Sequence, residues 1–151
     1  MADSLTKEQR SHNMAAIKSR RTKPELFLRH ELFMKGYRFR VNVNYIPGHP
    51  DLFLRKYNLA IFVNGCFWHR HTNCKFSYVP KSNDEFWKSK FEANIRRDLK
   101  VKSELEQKGI RQMIIWECFI NRMKKDGQFK ANGLSHILEM ISSSEKYIVV
   151  E

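Results

Sequence analysis

Residues 47–74 read PGHPDLFLRKYNLAIFVNGCFWHRHTNC, and the rest of the chain is organised around this stretch. Two short apolar runs, 51–54 and 59–63, flank the polar segment 55–58. This pattern is typical of two buried strands joined by a tight connection. Asp51 opens the first strand, where an acidic group at the edge of a core loses part of its hydration and gains affinity for a cation. We therefore predict a β-hairpin that begins with a cation-binding carboxylate.

Length and charge limit the class of protein. The chain has 151 residues and is 42% hydrophobic, which is enough for one compact domain, so we predict a single domain over 1–151. It carries 28 Lys and Arg against 16 Asp and Glu, a formal charge of +12, which favours a polyanionic partner. Neither an apolar run of spanning length nor a basic amphipathic helix points to a membrane, so nucleic acid is the expected partner. The N-terminal decapeptide lacks the apolar centre of a signal peptide, and we expect the protein to stay in the reducing cytoplasm.

Two capping boxes mark helix starts in the N-terminal third. Thr6-x-x-Gln9 predicts a short helix that leads into a basic run at 18–21. Residues 1–21 are either a solvated surface helix or an arm that contacts nucleic acid. Thr22-x-x-Glu25, with Pro24 in the first turn, opens a second helix that should end at Gly36. Its predicted core side consists of Leu26, Phe27, Leu32 and Phe33. Glu25 is thus explained by capping, and a second carboxylate near Asp51 is the alternative.

The remaining elements follow from periodicity. Alternating apolar and polar residues predict a strand over 37–44, and Ser82-x-x-Glu85 predicts a long helix up to Gly109. Phe91, Ile95 and Leu99 would form the apolar side of that helix. A polar stripe of Lys90, Asn94 and Asp98 is either a solvated face or the wall of a site beside the hairpin. Further predictions are a strand over 111–116, a Lys-rich loop after Asn121, a last helix over about 134–141 and a short apolar tail at 148–150.

Cysteine spacing suggests a metal site. Cys66-x4-His71-x2-Cys74, together with Cys118 at a strand end, offers three thiolates and one imidazole. This is the soft donor set that tetrahedral zinc prefers, and an odd number of cysteines does not favour a disulfide framework. Three small buried residues and a chance histidine are the alternative. Because protein fills all four positions, such a zinc site would be structural.

His69 remains once those ligands are assigned. It lies on the same loop, close in sequence to the strand that pairs with the Asp51 strand, and an imidazole transfers protons near neutral pH. A divalent ion on an acidic ligand, a nearby histidine and a basic surface suit phosphodiester hydrolysis. Phe67, Trp68 and Trp87 are either buried or available as wedges and stacking platforms for bases.

Several longer segments of the chain resemble those of the very short patch repair (Vsr) mismatch endonucleases. The resemblance covers most of the chain: SHNMAAI at 11–17, PGHPDL at 47–52, IFVNGCFWHRH at 61–71, EFW at 85–87 and IIWEC at 114–118. It implies a fold similar to type II restriction endonucleases, with a central mixed sheet, helices on both faces and a structural zinc. It also implies a bacterial, nucleoid-associated enzyme that nicks one strand 5′ to the mismatched thymine of a T·G pair, and we expect a monomer.

Site roles also follow from the resemblance. Asp51 would bind Mg²⁺ together with the backbone carbonyl of Val63, and His69 would be catalytic. Glu25 looks like a helper of the metal-bound water, and Asp98 would orient His69. For recognition, the resemblance implies that Phe67, Trp68 and Trp87 wedge into the duplex from the major groove, and that Met14 of the N-terminal arm approaches from the other side. Lys90 and Asn94 would contact the mismatched pair.

The chain departs from the family pattern at two places. Val63-Asn64 stands where the family usually has Thr-His, so a second histidine near the scissile phosphate is absent while the carbonyl ligand is retained. The zinc loop is one residue longer between His71 and Cys74, and zinc tolerates varied ligand spacing. Two alternatives to the mismatch nickase therefore stay open: a sequence-specific restriction-type nuclease, and a zinc-braced mismatch-binding module whose catalysis has decayed at Asn64.

Overall fold

The computed structural model describes residues 6–9 and 21–151, and it has an α/β architecture. Within residues 21–151 there are four helices and five strands, named here in chain order: α1 (Lys23–Met34), β1 (Arg40–Val41), β2 (Leu52–Leu54), β3 (Leu59–Asn64), α2 (Asp84–Gln107), β4 (Arg111–Trp116), α3 (Glu117–Lys125), α4 (Gly127–Ser142) and β5 (Tyr147–Val150). A 3-10 turn, Arg55–Tyr57, joins β2 to β3.

The strands form one mixed sheet in the order β1-β2-β3-β4-β5. β1 and β2, and likewise β2 and β3, pair antiparallel, whereas β3, β4 and β5 run parallel to one another. The predicted hairpin is therefore confirmed, with Leu52 opposite Ile61 and Leu54 opposite Leu59. Asn58 closes the turn in the left-handed conformation, at φ 50°, which asparagine adopts more readily than most residues.

Helices cover both faces of the sheet. The main core combines the strands with Leu28 and Leu32 of α1, Ile120 of α3 and Ile137 of α4. On the other face a smaller cluster joins Phe53 and Ala60 of the hairpin to Leu105 of α2. The C-terminal half of α2 therefore packs on the sheet. Its N-terminal half lies beside the loop that follows β3, and this places α2 next to the residues of the predicted site.

The loop before Asp51 passes close to α2, and this contact constrains its conformation. Gly48 has φ +79°, and a Cβ there would come within 2.6 Å of the Val101 side chain on α2 and 2.9 Å of Phe62 on β3. Both the positive φ and the missing side chain are needed, so glycine is required at this position. The loop delivers Asp51 to the start of β2.

The strand predicted over 37–44 is much shorter in the structure. Only Arg40–Val41 is a strand, and Val41 is exposed. Asn42 adopts φ 49°, which interrupts the extended conformation, although its N–H still donates to the Asp51 carbonyl oxygen at 3.3 Å.

Two predicted apolar helix faces are partly wrong. In α1, Leu26 and Phe33 are exposed, whereas Leu28 and Leu32 are buried. In α2, Phe91 is buried as predicted, but Ile95 and Leu99 are exposed. The helix begins at Asp84 with Asn83 as its N-cap, one residue after the predicted Ser82, and the Asn83 side chain makes no capping hydrogen bond.

The predicted Lys-rich loop after Asn121 is instead helical. α3 continues to Lys125, and Asp126 then caps α4 by accepting a hydrogen bond from the Phe129 N–H at 3.1 Å. Apolar residues of both helices are buried in the main core, and this packing stabilises the helices despite the lysines between them. The apolar tail forms β5.

Three N-terminal predictions have different outcomes. The first capping box is confirmed, because the N–H groups of Thr6 and Gln9 each donate to the other residue's side chain, at 2.9 and 3.1 Å. The second is confirmed as an N-cap, with the Thr22 hydroxyl accepting from the Glu25 N–H at 3.4 Å. Met14 lies outside the described residues.

Among the described helices, none has the length and apolar character needed to cross a lipid bilayer.

Candidate active site and metal centre

Asp51 lies at the start of β2, where its carboxylate is largely enclosed. Its Oδ2 accepts a hydrogen bond from the backbone N–H of Val63, on the neighbouring strand, at 2.7 Å. Burial raises the pKa of Asp51 to about 6, and the nearby Glu25 carboxylate acts in the same direction, while the Val63 N–H, Arg29 and His69 lower the pKa. The site therefore disfavours an unpaired negative charge, which is the property expected of a cation-binding carboxylate.

Glu25 is brought to this carboxylate by α1. Its side chain is 2% exposed and pairs with Arg29 one turn along the helix. The carboxylate influences the pKa of Asp51, so the structure places the two acidic groups near each other. The Thr22 hydroxyl caps the backbone N–H of Glu25. The Glu25 side chain pairs with Arg29 and lies near Asp51, so the second of the two alternatives posed from the sequence describes it.

His69 lies on the loop that follows β3, and it is oriented by α2. Its Nδ1 is 2.7 Å from Oδ2 of Asp98, and both side chains are about one-third exposed. The loop is folded back by a hydrogen bond from the His69 N–H to the Gly65 carbonyl oxygen at 3.0 Å. Asp98 thus holds Nδ1 of the ring, and Nε2 can take part in proton transfer.

One cavity of about 420 Å³ contains these groups. Asp51, His69, Asp98 and Val63 all line it. Asn64, 7% exposed, occupies the same wall. The other lining residues are Asn42, Gly48, His49, Phe62, Arg97, Val101, Gln112 and Ile114. Two of the three residues predicted to be catalytic, Asp51 and His69, therefore share one cavity between the sheet and α2, whereas Glu25 is not among the residues that line it.

The predicted aromatic wedge forms a cluster beside this cavity. Phe67 packs edge-on against Trp68 (ring centroids 5.0 Å apart), Trp87 (5.4 Å) and Phe91 (5.2 Å). Phe67, Trp68 and Trp87 are all half-buried, so neither full exposure nor full burial describes them. They form a packed platform that is partly exposed to solvent.

The three residues of the polar stripe on α2 differ in what they contact. Asn94 donates from Nδ2 to the Trp68 carbonyl oxygen at 3.0 Å, and Asp98 holds His69 as described. Lys90, one turn before Asn94, is exposed. Two of the three residues therefore support the loop, and Lys90 presents a positive charge near the aromatic platform.

Arg70 is an organising residue of this loop that the sequence did not reveal. Its guanidinium donates to the carbonyl oxygens of Phe67 (3.0 Å), Ser77 (2.9 Å) and Tyr78 (3.2 Å). It also lies 3.8 Å from the ring centroid of Phe91. Burial lowers the pKa of Arg70. Three carbonyl acceptors and a stacking ring match the planar fork of arginine, whereas the sequence showed only one more basic residue.

The four predicted zinc ligands converge on the far side of the loop. One ligand atom from each of Cys66, His71, Cys74 and Cys118 lies within 4.8 Å of every other. Cys118 is contributed by the first turn of α3, directly after β4. Burial raises the pKa of both the Cys66 and Cys118 thiols, so thiolates here require a cation. This donor set fits a tetrahedral metal ion of the zinc type.

Together these groups can act on a phosphodiester. Two neighbouring carboxylates suit a divalent cation, an imidazole held by Asp98 can carry a proton, and a net charge of +12 attracts a polyanion.

Comparison with known proteins agrees with this chemistry. The profile of the family described as DNA mismatch endonuclease Vsr matches residues 2–75. The type II nicking enzyme V.NmeAIP of Neisseria meningitidis is 42% identical over 118 residues, which is 78% of this chain and 84% of that protein. The DNA mismatch endonuclease Vsr of Escherichia coli is 41% identical over 125 residues, 83% of this chain and 80% of that protein. The chain is therefore an endonuclease that belongs to the Vsr family of DNA mismatch endonucleases.

Proposed function

We propose that this protein nicks one strand of duplex DNA on the 5′ side of the mismatched thymine in a T·G pair, in a magnesium-dependent reaction that initiates very short patch repair. The observation that carries the proposal is the shared cavity of Asp51 and the His69–Asp98 pair. The family membership supports the mismatch-directed nicking, and the aromatic platform beside the cavity supports recognition of a distorted base pair.

The residues around Asp51 fit Mg²⁺. Asp51 offers a carboxylate whose charge is unfavourable without a cation, Glu25 offers a second one nearby, and the main-chain carbonyl of Val63 would complete an all-oxygen set. When bound, the ion would activate a water molecule and neutralise charge that develops on the phosphate. Glu25, held by Arg29, would orient that water.

His69 would carry the proton that accompanies cleavage. Asp98 lies at hydrogen-bond distance from Nδ1 and would fix both the orientation and the tautomer of the ring, so that Nε2 would face the substrate. Asn64, in the same cavity, can donate a hydrogen bond but cannot carry a proton as an imidazole does. His69 would therefore be the main proton carrier.

The recognition surface would combine the aromatic platform with α2. Phe67, Trp68 and Trp87 would wedge beside the mismatched pair and unstack it. Lys90 and Asn94 would approach the pair from the same helix, with Asn94 also supporting the Trp68 backbone. Met14, on the arm formed by residues 1–21, would contact the duplex from the other side.

The remaining parts of the proposal concern the scaffold. Cys66, His71, Cys74 and Cys118 would hold a structural Zn²⁺ that braces the loop carrying His69. The mixed sheet with helices on both faces is consistent with a fold of the restriction-endonuclease type, in a single domain. We further propose that the protein acts as a monomer on bacterial DNA in the cytoplasm.

The experiment that tests the proposed function uses a panel of end-labelled duplexes, one for each mismatch and one fully paired, incubated with Mg²⁺ and resolved strand by strand. The proposal expects a single nick in the thymine strand of the T·G duplex. Cleavage of both strands of paired DNA would instead indicate a restriction-type nuclease.

A second candidate, a mismatch-binding module with decayed catalysis, is favoured by one observation. Asn64 occupies a wall of the cavity where the family resemblance leads us to expect a histidine. On the same panel this candidate expects tight, selective binding of the T·G duplex and no nick in any strand.

A further inference from the structure

The imidazole of His71 is held on three sides. Its ring stacks on Trp116 with centroids 4.2 Å apart and an interplanar angle of 9°. Its Nδ1 lies 3.5 Å from Sγ of Cys118, and its Nε2 lies 2.7 Å from Oε2 of Glu151. The side chain of His71 is 9% exposed, so the ring has little freedom to turn or to exchange its two nitrogens.

The distances distinguish the two nitrogens. In a tetrahedral zinc site, bond lengths of about 2.05 Å to nitrogen and 2.3 Å to sulfur place two such ligands about 3.6 Å apart. The distance of 3.5 Å between Nδ1 and the Cys118 sulfur matches this edge of the tetrahedron. Nε2 points instead to an oxygen atom, at the distance of a charge-assisted hydrogen bond.

We infer that His71 binds the metal through Nδ1, and that Glu151 is the positioning residue that selects this nitrogen. The Nε2–H donates to the Glu151 carboxylate, which fixes the tautomer with a lone pair on Nδ1 and increases the basicity of that nitrogen. Trp116 fixes the plane of the ring. This inference rests on the proposed zinc site, and it adds a residue that is not a ligand and lies 80 positions from His71.

The arrangement also connects the zinc site to the edge of the sheet. Glu151 follows β5 directly, and β5 is the last strand of the sheet. The interaction therefore joins this edge to the loop that carries His69. Because the Glu151 side chain is 58% exposed while its partner is buried, removing it should perturb the ligand without disturbing the core.

The test compares Glu151→Ala and Glu151→Gln with wild type and with Glu145→Gln, a control at an exposed glutamate before β5. Zinc affinity is measured by competition with a chromogenic chelator. We expect Glu151→Ala to weaken zinc binding by roughly 10- to 100-fold, Glu151→Gln to lose less because it keeps an acceptor oxygen, and Glu145→Gln to behave as wild type.

A second readout identifies the ligating nitrogen. Long-range ¹H–¹⁵N correlation spectra of the zinc-loaded wild type should show a proton on Nε2 of His71 and a metal-bound Nδ1. Wild-type affinity in Glu151→Ala, or a metal-bound Nε2, would overturn the inference while leaving the zinc site intact. A wild-type protein that binds no zinc would overturn the zinc site itself, and that failure is separate because it appears before any substitution.

Discussion

The negative charge of Asp51 is energetically unfavourable in its largely buried position. Burial is the main cause of its raised pKa, and the nearby Glu25 adds to it. A carboxylate that only stabilised the fold would be paired or exposed, so an acidic group kept in this environment indicates a function that needs it. The proposed catalytic role of Asp51 and the stability of the fold therefore place opposite demands on this residue.

Replacing Asp51 by Asn should stabilise the metal-free protein above about pH 6. The carboxyl group has a pKa of about 6 in the folded state against 3.8 as the ordinary value. The folded wild type therefore retains a proton that the unfolded chain has lost, and its stability falls as pH rises from about 4 to 6. We expect Asn to add on the order of 2 kcal/mol at pH 8 and little at pH 4. Denaturant unfolding at both pH values measures this, and an equal gain at both would contradict the burial of a charged Asp51.

Replacing Asp98 by Asn should impair cleavage far more than binding. The amide presents a weaker acceptor or an N–H to the His69 Nδ1, so the ring loses its fixed tautomer. We expect the single-turnover nicking rate to fall by roughly 10- to 100-fold with little change in affinity for a T·G duplex. Glu106→Gln, at an exposed position of the same helix, serves as the control. An Asp98→Asn rate equal to that of the control would mean that the pair has no part in catalysis.

At the scale of elements, the loop after β3 is held by three supports. The cysteine and histidine cluster holds its far side, Asn94 and Asp98 of α2 hold its near side, and Arg70 binds carbonyl oxygens within it. Such a loop can present aromatic side chains without burying them fully, because its backbone does not depend on their packing.

Replacing Phe67 and Trp68 together by Ala should reduce the preference for mismatched DNA. Stacking on unpaired or displaced bases is worth about 1–3 kcal/mol per base, whereas phosphate contacts depend on charges elsewhere. We expect affinity for the T·G duplex to approach that for paired DNA, with the salt dependence of binding unchanged. Phe76→Ala, an exposed aromatic outside the platform, is the control. A retained mismatch preference would assign these rings to structure alone.

Replacing Cys118 by Ser should destabilise the fold more than it alters the chemistry of the folded fraction. Cys118 connects the start of α3 to the proposed metal site, so loss of the thiolate should detach the loop from the core. We expect about one zinc per chain in wild type, loss of zinc in the variant and a clear drop in melting temperature. A stable wild type without zinc would contradict the structural role.

At the scale of the whole molecule, sequence predicts what is local. The hairpin, the approximate extent of α2 and three residues of the cysteine and histidine cluster lie within short segments, where spacing and periodicity determine structure. The exposure of Ile95 and Leu99 could not be predicted, because periodicity identifies a helix face but not where the sheet beneath it ends.

The long-range contacts within the site were the features that the sequence predicted least well. Glu25 approaches Asp51 from a helix on the main-core side, and residues 71 and 151 meet across 80 positions. From the residues alone, a second carboxylate near Asp51 was only the alternative to capping for Glu25, and the family resemblance added the role of a helper of the metal-bound water. Nothing in the sequence marked the contact of Glu151, because an exposed terminal glutamate is ordinary in a charged protein.

We propose that catalysis takes place in the cavity around Asp51 and that recognition of the duplex is separate from it. The most direct measurement compares wild type and Asp51→Asn on one end-labelled T·G duplex in Mg²⁺, with binding and strand-specific nicking followed in the same samples. We predict that the variant binds the duplex at least as tightly, because a negative charge is removed from a basic protein, while nicking falls by several orders of magnitude. An Asp51→Asn protein that nicks at the wild-type rate would contradict the account and place catalysis elsewhere.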